Sequence, residues 1–140
     1  YKKKNSGSGN GWHRDGIHFQ YKTILYLSDV NKKNGPFQIV ERSNKKKEII
    51  KFFLLNNLDP LNTRINNKII RKNFKNKNIK IKSFIEKQGT LIIVNTSSIH
   101  RGAPLKLGKR YAITNYYYPS NLLNKYTENF SKRLTKKLKN

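Results

Sequence analysis

Every strongly apolar run in this chain is short. FQYKTILYL (19–27), PFQIV (36–40), IKIKSFI (79–85), TLIIV (90–94) and RYAITNYYY (110–118) span five to nine residues each. They are rich in aromatic and β-branched side chains, and most are set off by Gly, Pro, Asn, Asp or Ser, which is the pattern of β-strands between turns. None approaches the roughly 20 apolar residues that cross a bilayer as a helix. The expectation is therefore an antiparallel, mainly β core. Within it, 19–27 and 36–40 read as a hairpin-like pair with a long connection, and TLIIV reads as a strand buried on both faces. Residues 45–78 have a different period. Ile49, Ile50, Phe53 and Leu54, then Ile65, Ile69, Ile70 and Phe74, recur at helical spacing on either side of Pro60, predicting a short helical insertion of two helices. Beyond Asn121, Leu122, Tyr126, Phe130, Leu134 and Leu138 fall every four residues, predicting an amphipathic C-terminal helix.

The chain has 140 residues and a formal net charge of +24. Such a charge raises a basic, non-catalytic domain that binds nucleic acid or another polyanion as the alternative function class, because Lys and Arg release counterions from a phosphate backbone. The charge is spread over the whole length, however, and accompanies abundant Asn, Ile, Tyr and Phe, so a base-composition bias accounts for it equally well. The absence of Cys excludes disulfide scaffolds, thiolate metal sites and cysteine nucleophiles. No signal-peptide pattern opens the chain, and a cytoplasmic protein is expected. Opening on Tyr1 and lacking Met, the sequence is expected to be a single N-terminally incomplete domain, 1–140, with its core at about 10–119 and a tail at 120–140.

Chemistry concentrates at His13-Arg14-Asp15 and His100. In an extended segment side chains alternate, so His13 and Asp15 project to one side and Arg14 to the other. With His100 supplied by another strand, two imidazoles and one carboxylate can hold one face of an octahedral ion and leave three positions open, the arrangement of non-haem Fe(II) oxygenases. Arg110, ten residues after His100, is a guanidinium able to clamp a carboxylate with two hydrogen bonds. The GSGNG stretch (7–11) reads as a loop and not a phosphate cradle, since no Gly-Lys-Ser/Thr follows it. Ser97, Ser98 and His100 lack the nucleophile elbow and the acidic orienter of a hydrolase. Trp12 reads as core or pocket wall, His18 as a rim residue, and Arg14 and Arg101 as solvated charges.

The segments WHRDG, YKTILYLSDVNKKNGPFQIV, KQGTLIIVNTSSIHRGAP and GKRYAITNYYYP, in this order and spacing, resemble the phytanoyl-CoA dioxygenase-like family of Fe(II)/2-oxoglutarate-dependent oxygenases. The resemblance covers about residues 10–119. It implies a double-stranded β-helix, a jelly roll of the cupin kind, with metal ligands at His13, Asp15 and His100 and the distal carboxylate of 2-oxoglutarate at Arg110. Thr23 and Asn115 are weaker candidates for a second cosubstrate contact. It further implies Fe(II) as cofactor, 2-oxoglutarate and O2 as cosubstrates, a small-molecule substrate, and hydroxylation as the outcome, since Asp15 fills the position that halogenases of this kind leave to a halide.

Overall fold

The computed structural model describes residues 7–16 and 19–117. The C-terminal helix expected beyond Asn121 and the rim position expected for His18 lie outside the described residues. The elements in chain order are β1 (Tyr21–Tyr26), β2 (Phe37–Val40), α1 (Lys46–Leu55), α2 (Asn67–Lys75), β3 (Ile81–Phe84), β4 (Leu91–Asn95), β5 (His100–Gly102) and β6 (Ala112–Tyr117). The described chain is thus mainly β, with a two-helix insertion in the region 45–78. No helix among the described residues is long and apolar enough to cross a membrane.

The strands form two three-stranded antiparallel sheets, ordered β4-β1-β6 and β3-β2-β5. The second sheet is extended at β5, where His13 makes antiparallel bridges to His100 on one side and Arg64 on the other. β1 and β2 do not pair as a hairpin, contrary to expectation. Both edges of β1 are taken by β4 and β6, and the connection between β1 and β2 carries the chain from one sheet to the other. Its shape is held by side-chain amides: Asn34 Oδ1 accepts from Asn31 N at 2.7 Å, and Asn34 Nδ2 donates to Asp29 O at 2.8 Å and Lys109 O at 3.1 Å.

Strand alternation separates two cores. Ile24, Tyr26, Val30, Phe37, Ile92 and Val94 form one, to which both sheets contribute. The Tyr26 hydroxyl ties the sheets together, donating to Phe84 O and accepting from Phe37 N, each at 3.1 Å. The other core joins Val40 and Ile99 to Trp12, Ile65 and the helices, which contribute Ile49, Phe52, Phe53 and Ile70. Helix α2 starts where Asn66 Oδ1 accepts from Lys68 N at 2.8 Å, an N-cap. β4 is a second correction. TLIIV is buried on one face only, with Ile92 and Val94 inward and Leu91 and Ile93 55% and 68% exposed. A continuous apolar run does not by itself reveal whether both faces are covered.

Candidate metal centre

His13, Asp15 and His100 come together because the segment carrying the first two is tied to the chain around the third. His13 N donates to His100 O at 2.9 Å, His100 N returns a bond to His13 O at 2.8 Å, and Asp15 N donates to Thr96 O at 3.0 Å. This extended pairing sends His13 and Asp15 to the same side as His100, and one ligand atom from each of the three lies within 4.8 Å of the others.

The imidazoles are oriented for metal binding. His13 Nδ1 is 2.8 Å from Gly11 O and His100 Nδ1 is 2.9 Å from Ser98 O. A carbonyl only accepts, so each Nδ1 carries a proton, and in the neutral ring Nε2 is left with its lone pair. Backbone carbonyls play this orienting part behind metal-binding histidines in general. The two Nε2 atoms face the same carboxylate oxygen, Asp15 Oδ1, at 3.4 and 3.6 Å. These separations exceed the ordinary N–H···O range of about 2.7–3.2 Å. His100 Nε2 is buried without a hydrogen-bond partner. Two lone pairs and a carboxylate converging on one point are unfavourable unless a cation lies between them, so the donor set fits a divalent ion. This buried group can bind a metal ion.

Asp15 is ionised. Burial opposes its charge, but donation from His100 and His13, in rings that carry a proton on Nε2 when no cation is held, and the contact with Lys22 outweigh that cost and hold its carboxyl far below the usual carboxylate range. Lys22 is the feature that sequence reasoning missed. Its ammonium lies 2.8 Å from Asp15 Oδ2, an ion-pair contact that lacks hydrogen-bond geometry, and 4.4 Å from the centre of the Tyr116 ring. The signal was present in the sequence: alternation in YKTILY places Lys22 on the same face as Ile24 and Tyr26, the inward face of β1.

The triad opens into a cavity of about 320 Å³ whose walls include Lys22, Ile24, Phe37, Arg110, Thr114 and Tyr116. Arg110 therefore lines the same cavity as the triad. Its guanidinium donates to Gly35 O and, at 3.3 Å, to Ser8 Oγ. Thr23 and Asn115 are register partners across β1 and β6, but alternation turns them to the face opposite Lys22 and Tyr116, and the structure does not bring them to the cavity. The glycine-rich loop does reach it. Ser8 and Gly9 line the wall, and Gly9, at φ +77°, packs so closely on His13 that an added Cβ would lie 2.2 Å from Cε1.

Arg14 and Arg101 are not the solvated charges expected. Alternation sends them to the helix-facing side, where Arg14 is 7% exposed, bonded through Nε to Ser97 O at 2.7 Å and set over Phe53. Arg101 bonds Gln38 Oε1 at 2.8 Å and lies 4.4 Å from the Trp12 ring, itself a core residue. Burial lowers the pKa of both guanidinium groups, and neighbouring Arg71 adds to the effect at Arg101. Comparison with protein-family models, with curated proteins and with solved structures finds no match to this chain, so the reading of the centre rests on its own geometry.

Proposed function

We propose that the protein is an Fe(II)- and 2-oxoglutarate-dependent dioxygenase that hydroxylates a small organic substrate, on a double-stranded β-helix of the phytanoyl-CoA dioxygenase-like kind. The observation that carries this reading is the convergence of two oriented imidazole nitrogens and a single carboxylate oxygen at a cavity that also presents Arg110. Two nitrogens and one oxygen are the donor set that leaves three positions open on a six-coordinate ion. The strand order supports the fold: β4-β1-β6 in one sheet and β3-β2-β5-His13 in the other, with the chain passing repeatedly between them, as a jelly roll winds.

The residues divide the work. His13, Asp15 and His100 would hold the iron, with Gly11 O and Ser98 O fixing the two rings. Arg110, which lines the same cavity, would pair with a carboxylate of 2-oxoglutarate, and five N–H donors in a rigid fork suit that partner. Ile24, Phe37 and Ala112 supply apolar wall that limits water around the reacting groups. When bound, iron with its cosubstrate supplies the oxygen chemistry, in which O2, 2-oxoglutarate and substrate become succinate, CO2 and hydroxylated product.

The test is Fe(II)-dependent conversion of 2-oxoglutarate to succinate by the protein, compared with Asp15→Ala and Arg110→Gln. The expected result is turnover in the wild type, background in Asp15→Ala and a raised KM for 2-oxoglutarate in Arg110→Gln. Equal turnover in the wild type and Asp15→Ala would refute the assignment.

A further inference from the structure

We propose that Lys22 is a positioning residue of the metal centre: it withholds one oxygen of Asp15 so that the carboxylate offers the ion only the other. This assignment rests on the dioxygenase reading above and deepens it. The two Asp15 oxygens have different surroundings. Oδ1 faces both histidine Nε2 atoms at 3.4 and 3.6 Å, whereas Oδ2 faces Lys22 Nζ at 2.8 Å. The Lys22 side chain is only 8% exposed, and its ammonium is set against the Tyr116 ring. An ammonium in such a place is costly unless paired, and β1 directs it to Asp15, the one acidic residue on the cavity wall among the described residues.

The consequence concerns how many positions on the ion stay open. A carboxylate with both oxygens available can bind through both, as a bidentate ligand. With two imidazoles it would then take four positions of six and leave two. Held at Oδ2 by Lys22, Asp15 would take one and leave three, enough for a chelating cosubstrate and O2. Lys22 would thus act on cosubstrate binding through Asp15 and not by touching the cosubstrate.

Titrations of the protein with Mn(II) and Co(II), followed by 2-oxoglutarate binding to the Mn(II)-loaded protein, test this in the wild type, Lys22→Met and Lys22→Arg. Lys22→Met is expected to bind Mn(II) at least as tightly as the wild type, because a neighbouring positive charge is gone. Its affinity for 2-oxoglutarate is expected to fall about tenfold or more. The absorption spectrum of its Co(II) form, recorded without 2-oxoglutarate, should change, whereas a residue that only touched the cosubstrate would leave it unaltered. Lys22→Arg should restore both properties. Unchanged 2-oxoglutarate affinity or an unchanged Co(II) spectrum in Lys22→Met would overturn the proposal. So would a parallel loss of metal and cosubstrate binding, or failure of both variants to fold, since either makes Lys22 a stability residue. If the wild type itself binds no Mn(II) or Co(II), the dioxygenase reading falls, and this inference with it.

Discussion

Replacing Tyr26 by Phe removes one oxygen atom and tests whether a single hydroxyl holds the two sheets in register around the centre. Tyr26 is fully buried, and its hydroxyl donates to Phe84 O and accepts from Phe37 N, both at 3.1 Å. The benzyl group stays, so apolar burial and packing are retained. Phe37 is 4% exposed, so its N–H loses an acceptor where water has little access, at a cost of about 1–3 kcal/mol. Phe84 is only partly buried, and its carbonyl loses about 0.5–1.5 kcal/mol of net hydrogen bonding. Together the change should cost about 2–4 kcal/mol, a shift of about 1–2 M in a urea midpoint at a slope of about 2 kcal/mol/M. Tyr111→Phe, at a position 56% exposed, is the control and should stay within about 0.5 kcal/mol of the wild type. Equilibrium urea unfolding with an unchanged slope is the assay. A Tyr26→Phe midpoint that coincides with the control would refute the claim that this hydroxyl stitches the sheets.

Three further outcomes follow from the same structure. Phe53→Ala, at a site 1% exposed between the helices and Trp12, should destabilise by about 3–5 kcal/mol in the same unfolding assay. Gly9→Ala puts a methyl group against the His13 ring at a positive φ, and should weaken Mn(II) binding by about tenfold, read by calorimetric titration. The Asp15 carboxyl is held well below its ordinary range in the folded chain. Its contribution to stability is therefore complete above an unfolded pKa of about 3.9 and is lost as pH falls from there toward the folded value. Unfolding measured from pH 7 down to pH 2 in a chelator should show a steeper acid loss for the wild type than for Asp15→Asn, with the two profiles parallel above about pH 5.

The parts of this protein that were legible in the sequence are those set by neighbours along the chain. Strand periodicity in YKTILY and RYAITNYYY and helical periodicity in 45–78 arise from local side-chain direction, so elements of these types stand where they were expected. The same local rule placed His13 and Asp15 on one side and Arg14 on the other. It also held the clue to Lys22, which shares its face with Ile24 and Tyr26, but nothing local says that this face meets Asp15.

Pairing is where sequence reasoning ran out. The apparent β1–β2 hairpin failed because the 27–36 connection crosses between sheets, and β1 finds its partners in β4 and β6, far along the chain. TLIIV looked doubly buried because an apolar run is silent about what covers its second face. Thr23 and Asn115 depended on which face of β1 and β6 turns toward the cavity, a matter of register. The sequence by itself determined the strands, the helical insertion and a His-x-Asp pair with its side chains on one side, because these follow from steric preferences within a few residues. Only the tertiary structure decided that two imidazoles and a carboxylate meet, that carbonyls at Gly11 and Ser98 orient them, and that Lys22 occupies one carboxylate oxygen. The two imidazoles come from residues 87 positions apart, and Lys22 on β1 meets the carboxylate beside them only once the two sheets are assembled.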